Sequence, residues 1–136
     1  MAVQMTSRER VQRMFEHREA DRIPIWENPW ATTLDRWKKQ GLKSDDWAEE
    51  FGLDKTLGIG CDNSPRYPVK VLWGGCSALN WLEEGKVLED VETLVPYMKR
   101  GGGYIFATDH SVPDNVELEE FRKVISRVKE LGRYGY

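Results

Sequence analysis

Apolar residues recur every three or four positions along much of the chain, which is typical of amphipathic helices. Four stretches have this pattern, and their apolar residues are Val11, Met14 and Phe15; Trp30, Leu34 and Trp37; Leu88, Val91, Leu94, Val95 and Met98; and Leu118, Phe121, Val124, Ile125 and Val128. Thr6 and Glu9 have capping-box spacing and predict the start of the first helix. Gly132 predicts the end of the last helix, and Pro96 predicts a kink in the third. A shorter helix is expected over residues 45–51.

Four shorter apolar runs, at residues 23–26, 55–60, 69–73 and 104–107, have the length of strands. Their alternation with helices predicts an α/β protein with a mostly parallel sheet. The connection over residues 61–68 is shorter than the dozen or more residues that a parallel crossover needs. Either an extended segment runs along the sheet there, or the strand at 69–73 pairs antiparallel.

Polar residues follow each of these runs at the point where the run ends. The carboxyl ends of parallel strands share one edge of a sheet, and ligands usually bind there. The side chains expected at this edge are Glu27, Cys61, Asp62, Cys76, Asp109 and His110. Asp62 and Asp109 have an alternative role, because aspartates also cap the turns in which they lie.

Several motifs, taken together and in order, resemble one protein family. They read TSRER at 6–10, HREADRIPI at 17–25, LD at 53–54, GCDNSP at 60–65, VLWGG at 71–75 and GGGYIFATDHSVPDNV at 101–116. They resemble the uroporphyrinogen decarboxylase-like superfamily of (βα)8 TIM barrels, which also contains zinc-dependent methyl transferases that act on corrinoid proteins. Residues 1–68 are similar to the family's amino-terminal quarter, and residues 69–136 to its carboxyl-terminal quarter. Such a barrel needs about 250 residues, so the resemblance covers a barrel without its middle.

The resemblance implies a single domain that forms a four-stranded (βα) half barrel, mostly parallel. An open sheet of this kind leaves edges and an apolar face uncovered. The family places its last strand beside its first, so strand 104–107 of one copy is expected to pair with 23–26 of another, giving a homodimer. Alternatively, the helix at 30–37 folds over the open face within one chain. Six tryptophans are many for a small core, and some are expected to face a partner.

The resemblance also implies roles for two residues. Asp62 falls on the aspartate that faces the pyrroles in the decarboxylases, and His110 falls on a histidine that contacts substrate. Glu27 and Asp109 are expected to border the substrate. The family's arginine-rich segment is replaced by ENPWA at 27–31, and an acidic edge repels a polycarboxylate.

Loss of the parent decarboxylation is therefore expected. One alternative is a lyase or transferase that acts on a tetrapyrrole, a small carboxylate or a methyl donor. The other alternative is a binding or scaffold protein that uses exposed tryptophans.

Cys61, Cys76 and His110 are the soft metal ligands at this edge, and three such ligands suit zinc with an open position. No closely spaced Cys-x-x-Cys or His-x-Cys pair supports a zinc site, so no cofactor is expected. The cysteines are also explained as small buried residues.

Composition narrows the class of protein further. The net charge is -3 and no face is basic, which argues against nucleic acid as a partner. No apolar run approaches the ~20 residues of a membrane span. Two cysteines are too few for a disulfide framework and favour a reducing compartment. Residues 1–15 are polar and charged, unlike a signal peptide. A soluble cytoplasmic protein is expected.

Overall fold

The computed structural model describes residues 4–55 and 72–135 of the chain. In these ranges helices dominate the fold. The elements are α1 (Ser7–Phe15), α2 (Ala31–Lys39), α3 (Trp47–Glu50), β1 (Leu72–Trp73), a 3₁₀ helix (Ala78–Leu82), α4 (Lys86–Met98), β2 (Tyr104–Ile105) and α5 (Leu118–Leu131).

The predicted helices are present, and local chemistry explains their ends. The Thr6 hydroxyl accepts the backbone N–H of Glu9, and the Glu9 carboxylate accepts the backbone N–H of Thr6 at 2.9 Å, so the capping box forms. The apolar face of α5 is buried and packs against α4. Helix α4 contains Pro96 and ends at Met98.

The predicted four-stranded half barrel is wrong. Within the described residues the only sheet is the parallel pair β1 and β2, with Leu72 opposite Tyr104 and Trp73 opposite Ile105. The antiparallel alternative for this strand is therefore also wrong. Strand β1 stops at once because Gly74 and Gly75 follow with φ of 104° and 109°, outside the extended region. The run at 55–60 lies almost wholly outside the described residues.

The segment at 23–26 lies beside β2 but contributes only an isolated parallel bridge, between Ile25 and Phe106. The backbone N–H of Trp26 donates to the Phe106 carbonyl at 2.9 Å, and the Phe106 N–H donates to the Pro24 carbonyl at 2.9 Å. Pro24 has no N–H of its own to extend the ladder. This pairing is made within one chain, so it needs no second copy. Homodimer formation stays a prediction.

Four charged side chains hold the 21–25 segment in place. Arg10 is 2% exposed and Asp54 is 2% exposed, and the two form an ion pair. Arg10 also binds Asp21 at 2.7 Å, and Arg22 binds Asp54 at 2.7 Å. The Asp54 carboxylate accepts the backbone N–H of Ile25 at 3.0 Å. The network fixes the chain immediately before Glu27.

The core joins these elements around a cluster of aromatic rings. Trp37 packs on Phe121 with ring centroids 4.6 Å apart, and Phe51 and Trp81 lie against the same phenyl ring. The Trp37 indole N–H donates to the Val116 carbonyl at 2.9 Å. In residues 4–55 and 72–135, no helix is long and apolar enough to cross a membrane.

Candidate functional site

Three backbone segments end side by side and build the candidate site. Parallel bridges join Cys76 to Thr108 and Pro29 to Val112, in addition to the bridge between Ile25 and Phe106. The polar residues that follow these segments consequently meet at one end of the short sheet, as expected for parallel pairing. Of the side chains predicted there, the structure brings together Glu27, Cys76, Asp109 and His110; Cys61 and Asp62 lie outside the described residues.

Glu27 is buried at the base of the site and is only 2% exposed. Its Oε1 accepts the backbone N–H of Thr108 at 2.8 Å, and its Oε2 lies 2.9 Å from the Thr108 hydroxyl oxygen. No lysine or arginine among the described residues forms an ion pair with it. Burial raises the pKa of Glu27 to about 7, and the hydrogen bonds from Thr108 and Asn28 offset burial only in part. Burial leaves only 2% of Glu27 for a ligand to touch, and its contact with a substrate stays a prediction.

Cys76 is 1% exposed. Burial raises the pKa of its thiol to about 12, and the nearby carboxylates of Asp90, Glu27 and Asp109 act in the same direction. A thiol that stays protonated is a poor nucleophile and a poor metal ligand. Within residues 4–55 and 72–135, no three His, Cys, Asp or Glu side chains are grouped so that they could hold a metal ion.

Asp109 ties the site to the 3₁₀ helix. Its Oδ1 accepts the backbone N–H of Ala78 at 2.7 Å, and its own N–H donates to the Cys76 carbonyl at 2.9 Å. The side-chain bond goes to a residue 31 positions earlier in the chain, so Asp109 holds the start of the 3₁₀ helix and not the turn in which it lies. The exposed side chain also borders the groove described next.

An open groove lies beside His110 and encloses about 550 Å³. The Trp30 ring meets the His110 ring edge-on, with centroids 6.2 Å apart. Trp30 is 43% exposed, Leu79 71% and Leu82 58%, so the groove presents apolar surface to solvent. We call it the Trp30–His110 groove; its lining residues are Trp30, Ala78, Leu79, Leu82, Asp109, His110, Ser111, Pro113, Asp114 and Asn115.

The charge of the groove is acidic. Asp109 and Asp114 line it, and no lysine or arginine among the described residues does so. A second groove of about 560 Å³ shares Leu82 and Asn115 with the first. Four glutamates and one lysine line this second groove, at Glu84, Glu117, Glu119, Glu120 and Lys123. Both grooves therefore favour neutral or cationic ligands over anions.

The sequence does not predict the roles of Thr108 and Trp30. Thr108 is 6% exposed and its hydroxyl is the direct partner of Glu27. A signal was present, because Thr108 is the polar residue at the end of the apolar run at 104–107. The spacing predicts Trp30 on the apolar face of a helix, whereas it lies at the N-cap position of α2 and its side chain lines the groove.

Comparison with known proteins does not extend this description. No protein-family model, curated protein or solved structure matches the chain.

Proposed function

We propose that the chain is a small-molecule-binding protein whose site is the Trp30–His110 groove. It is a shortened relative of the uroporphyrinogen decarboxylase-like proteins and does not carry out their decarboxylation. Its ligand is neutral or cationic and has a flat apolar body. The observation that carries this proposal is the groove itself, which exposed Leu79, Leu82 and Trp30 line together with the His110 imidazole.

Exposed apolar surface in a concave site supports binding. Ligand sites are usually clefts of about 300–1,000 Å³ with apolar walls and a few polar groups, and the groove of about 550 Å³ has these properties. Trp30 offers a ring face or edge for stacking, while His110 and Asp109 supply hydrogen-bonding groups. A ligand with a flat ring would cover the three apolar side chains.

The charges of the site support loss of the parent reaction. A polycarboxylate such as uroporphyrinogen needs cationic side chains that hold its acid groups. The described lining of the groove instead carries Asp109 and Asp114. The kinship itself is supported by the parallel placement of the 23–26 segment next to β2, since the family places its first strand beside its last.

Two probes with the same ring and opposite charge test the proposal. We expect 1-naphthylmethylamine, a cation at neutral pH, to bind in the groove at least tenfold more tightly than 1-naphthylacetate, a difference of about 1.4 kcal/mol. Binding is measured by NMR titration, with the Trp30 indole and His110 imidazole signals as reporters. Leu79→Ser should weaken binding of the amine, because it removes exposed apolar wall.

The matched control is Leu72→Ser, since Leu72 is 45% exposed and does not line the groove. This variant should bind the amine as the unmodified chain does. If neither probe binds, a ligand site in the groove is refuted. Equal binding of both probes would refute the part of the proposal that rests on charge.

A second candidate function is proton-transfer chemistry as a lyase or transferase, with His110 at the groove and, by the resemblance, Asp62. The observation that favours it is the pKa of Glu27, which burial raises to about 7, since catalytic acids and bases often titrate near neutral pH. The burial of Glu27 weighs against direct contact with substrate. Formation of coproporphyrinogen from uroporphyrinogen by the purified chain, lost in Asp62→Asn, would favour this candidate over binding alone.

A further inference from the structure

The Thr108 hydroxyl lies between two acceptors and can serve only one of them at a time. Its oxygen is 2.9 Å from Glu27 Oε2 and 2.7 Å from the backbone carbonyl oxygen of His110. A hydroxyl has a single hydrogen but can also accept. Among the described residues no other donor reaches the His110 carbonyl. The protonation state of Glu27 therefore decides what the Thr108 hydroxyl does.

When Glu27 is neutral, its carboxyl group, the Thr108 hydroxyl and the His110 carbonyl all have hydrogen-bond partners. The Glu27 O–H donates to Thr108, and the Thr108 O–H donates to the His110 carbonyl, while Glu27 Oε1 still accepts the Thr108 N–H. When Glu27 loses its proton to solvent, the buried carboxylate needs donors more strongly than a carbonyl does. The Thr108 O–H then turns to Glu27, and the His110 carbonyl loses its donor.

We propose that Glu27, Thr108 and His110 form a proton-operated switch on the wall of the groove. When Glu27 takes up one proton, the Thr108 hydroxyl donates a hydrogen bond to the backbone carbonyl of residue 110. When Glu27 releases that proton, this hydrogen bond is lost. His110 and its neighbours Asp109 and Ser111 line the Trp30–His110 groove, so the switch sets how firmly this wall is held. The effect on ligands rests on the proposed function; the switch itself does not.

The surroundings of Glu27 leave it as the group that titrates. Cys76 and Tyr104 interact with it from the flanking segments, and burial raises the pKa of both, so both stay neutral across the neutral range. Asp109 directs Oδ1 to the Ala78 N–H, and Asp90 acts on Cys76 from α4. Burial also raises the pKa of Glu27 to about 7, which places the switch within the physiological range.

The test follows two signals in the ligand-free protein by carbon-13 NMR as pH is varied. They are the side-chain carboxyl of Glu27 and the backbone carbonyl of residue 110. We expect both to change with one common midpoint. Glu27→Gln is measured together with His110→Asn, so that the imidazole on the same residue cannot contribute. In this double variant the signal of residue 110 should not vary with pH and should keep its low-pH position, because the glutamine amide donates to Thr108 as the neutral acid does.

Three further variants separate the switch from other causes. His110→Asn removes the imidazole but keeps the backbone carbonyl, and it should retain the midpoint. Thr108→Ser should also retain it, whereas Thr108→Val should abolish the response of residue 110. A response that disappears in His110→Asn, or that persists when Glu27→Gln and His110→Asn are combined, would overturn the switch. Because no ligand is present, these results stand apart from the probe titrations that test the groove.

Discussion

Phe106→Asp is expected to leave the chain unfolded. Phe106 has no exposed surface, and its backbone pairs with the 23–26 segment on one side of β2. Truncation of a buried phenylalanine alone costs about 3–5 kcal/mol, and burial of an unpaired carboxylate adds several more. Since domains are stable by only about 5–15 kcal/mol, the folded state should not survive. Far-UV circular dichroism and thermal unfolding measure the effect.

Two controls show that the position, rather than the change of residue, causes the loss. Phe106→Leu keeps an apolar side chain and should cost about 1–2 kcal/mol. Tyr97→Asp places the same acid where 65% of the side chain is exposed, and it should remain folded. Cooperative unfolding of Phe106→Asp with a native spectrum would mean that residue 106 is not in the core.

The second large effect is the pH dependence that Glu27 gives to stability. Burial raises the pKa of Glu27 from about 4.5 to about 7 in the folded chain. Between these values the folded state holds a proton that the unfolded state has lost, so stability falls as pH rises through this window. The expected loss is about 3 kcal/mol, from about 1.4 kcal/mol for each tenfold change in proton affinity. Chemical denaturation across this range measures it.

Glu27→Gln isolates this contribution. Glutamine stays neutral at every pH and can keep both hydrogen bonds to Thr108, so the variant should be the more stable protein above pH 7. The difference in unfolding free energy between the two proteins should grow from about pH 4.5 to about 7 and then level off. The same pH profile in both proteins would show that Glu27 is not buried as described.

The helices could be predicted because the residues that determine them lie close together in the sequence. Capping by Thr6 and Glu9 and the apolar spacing along α5 depend on residues within a few positions of each other. The half barrel could not be inferred in this way. The described residues do not form four strands because Gly74 and Gly75 end β1 and because Pro24 limits the neighbouring segment to one bridge.

The candidate site was predictable in position but not in detail. Parallel pairing was enough to bring Glu27, Cys76 and His110 to one end of the sheet. Burial of Glu27, and the raised pKa that results, depend on packing between residues more than eighty positions apart, such as Glu27 and Thr108. The groove likewise depends on the 3₁₀ helix placing Leu79 on the same groove as Trp30, and no sequence pattern predicts that arrangement.

In the part of the chain that the structure describes, one chain builds the candidate site by pairing its own 23–26 segment with Phe106, which follows β2. The most direct measurement is an isotope-filtered NOE experiment on an equal mixture of labelled and unlabelled protein, which observes contacts between Ile25 and Phe106. These residues are bridged within one chain, so contacts are expected inside each molecule and not between labelled and unlabelled molecules. Contacts between labelled and unlabelled molecules would show that the two segments pair across copies, and would contradict a site made by a single chain.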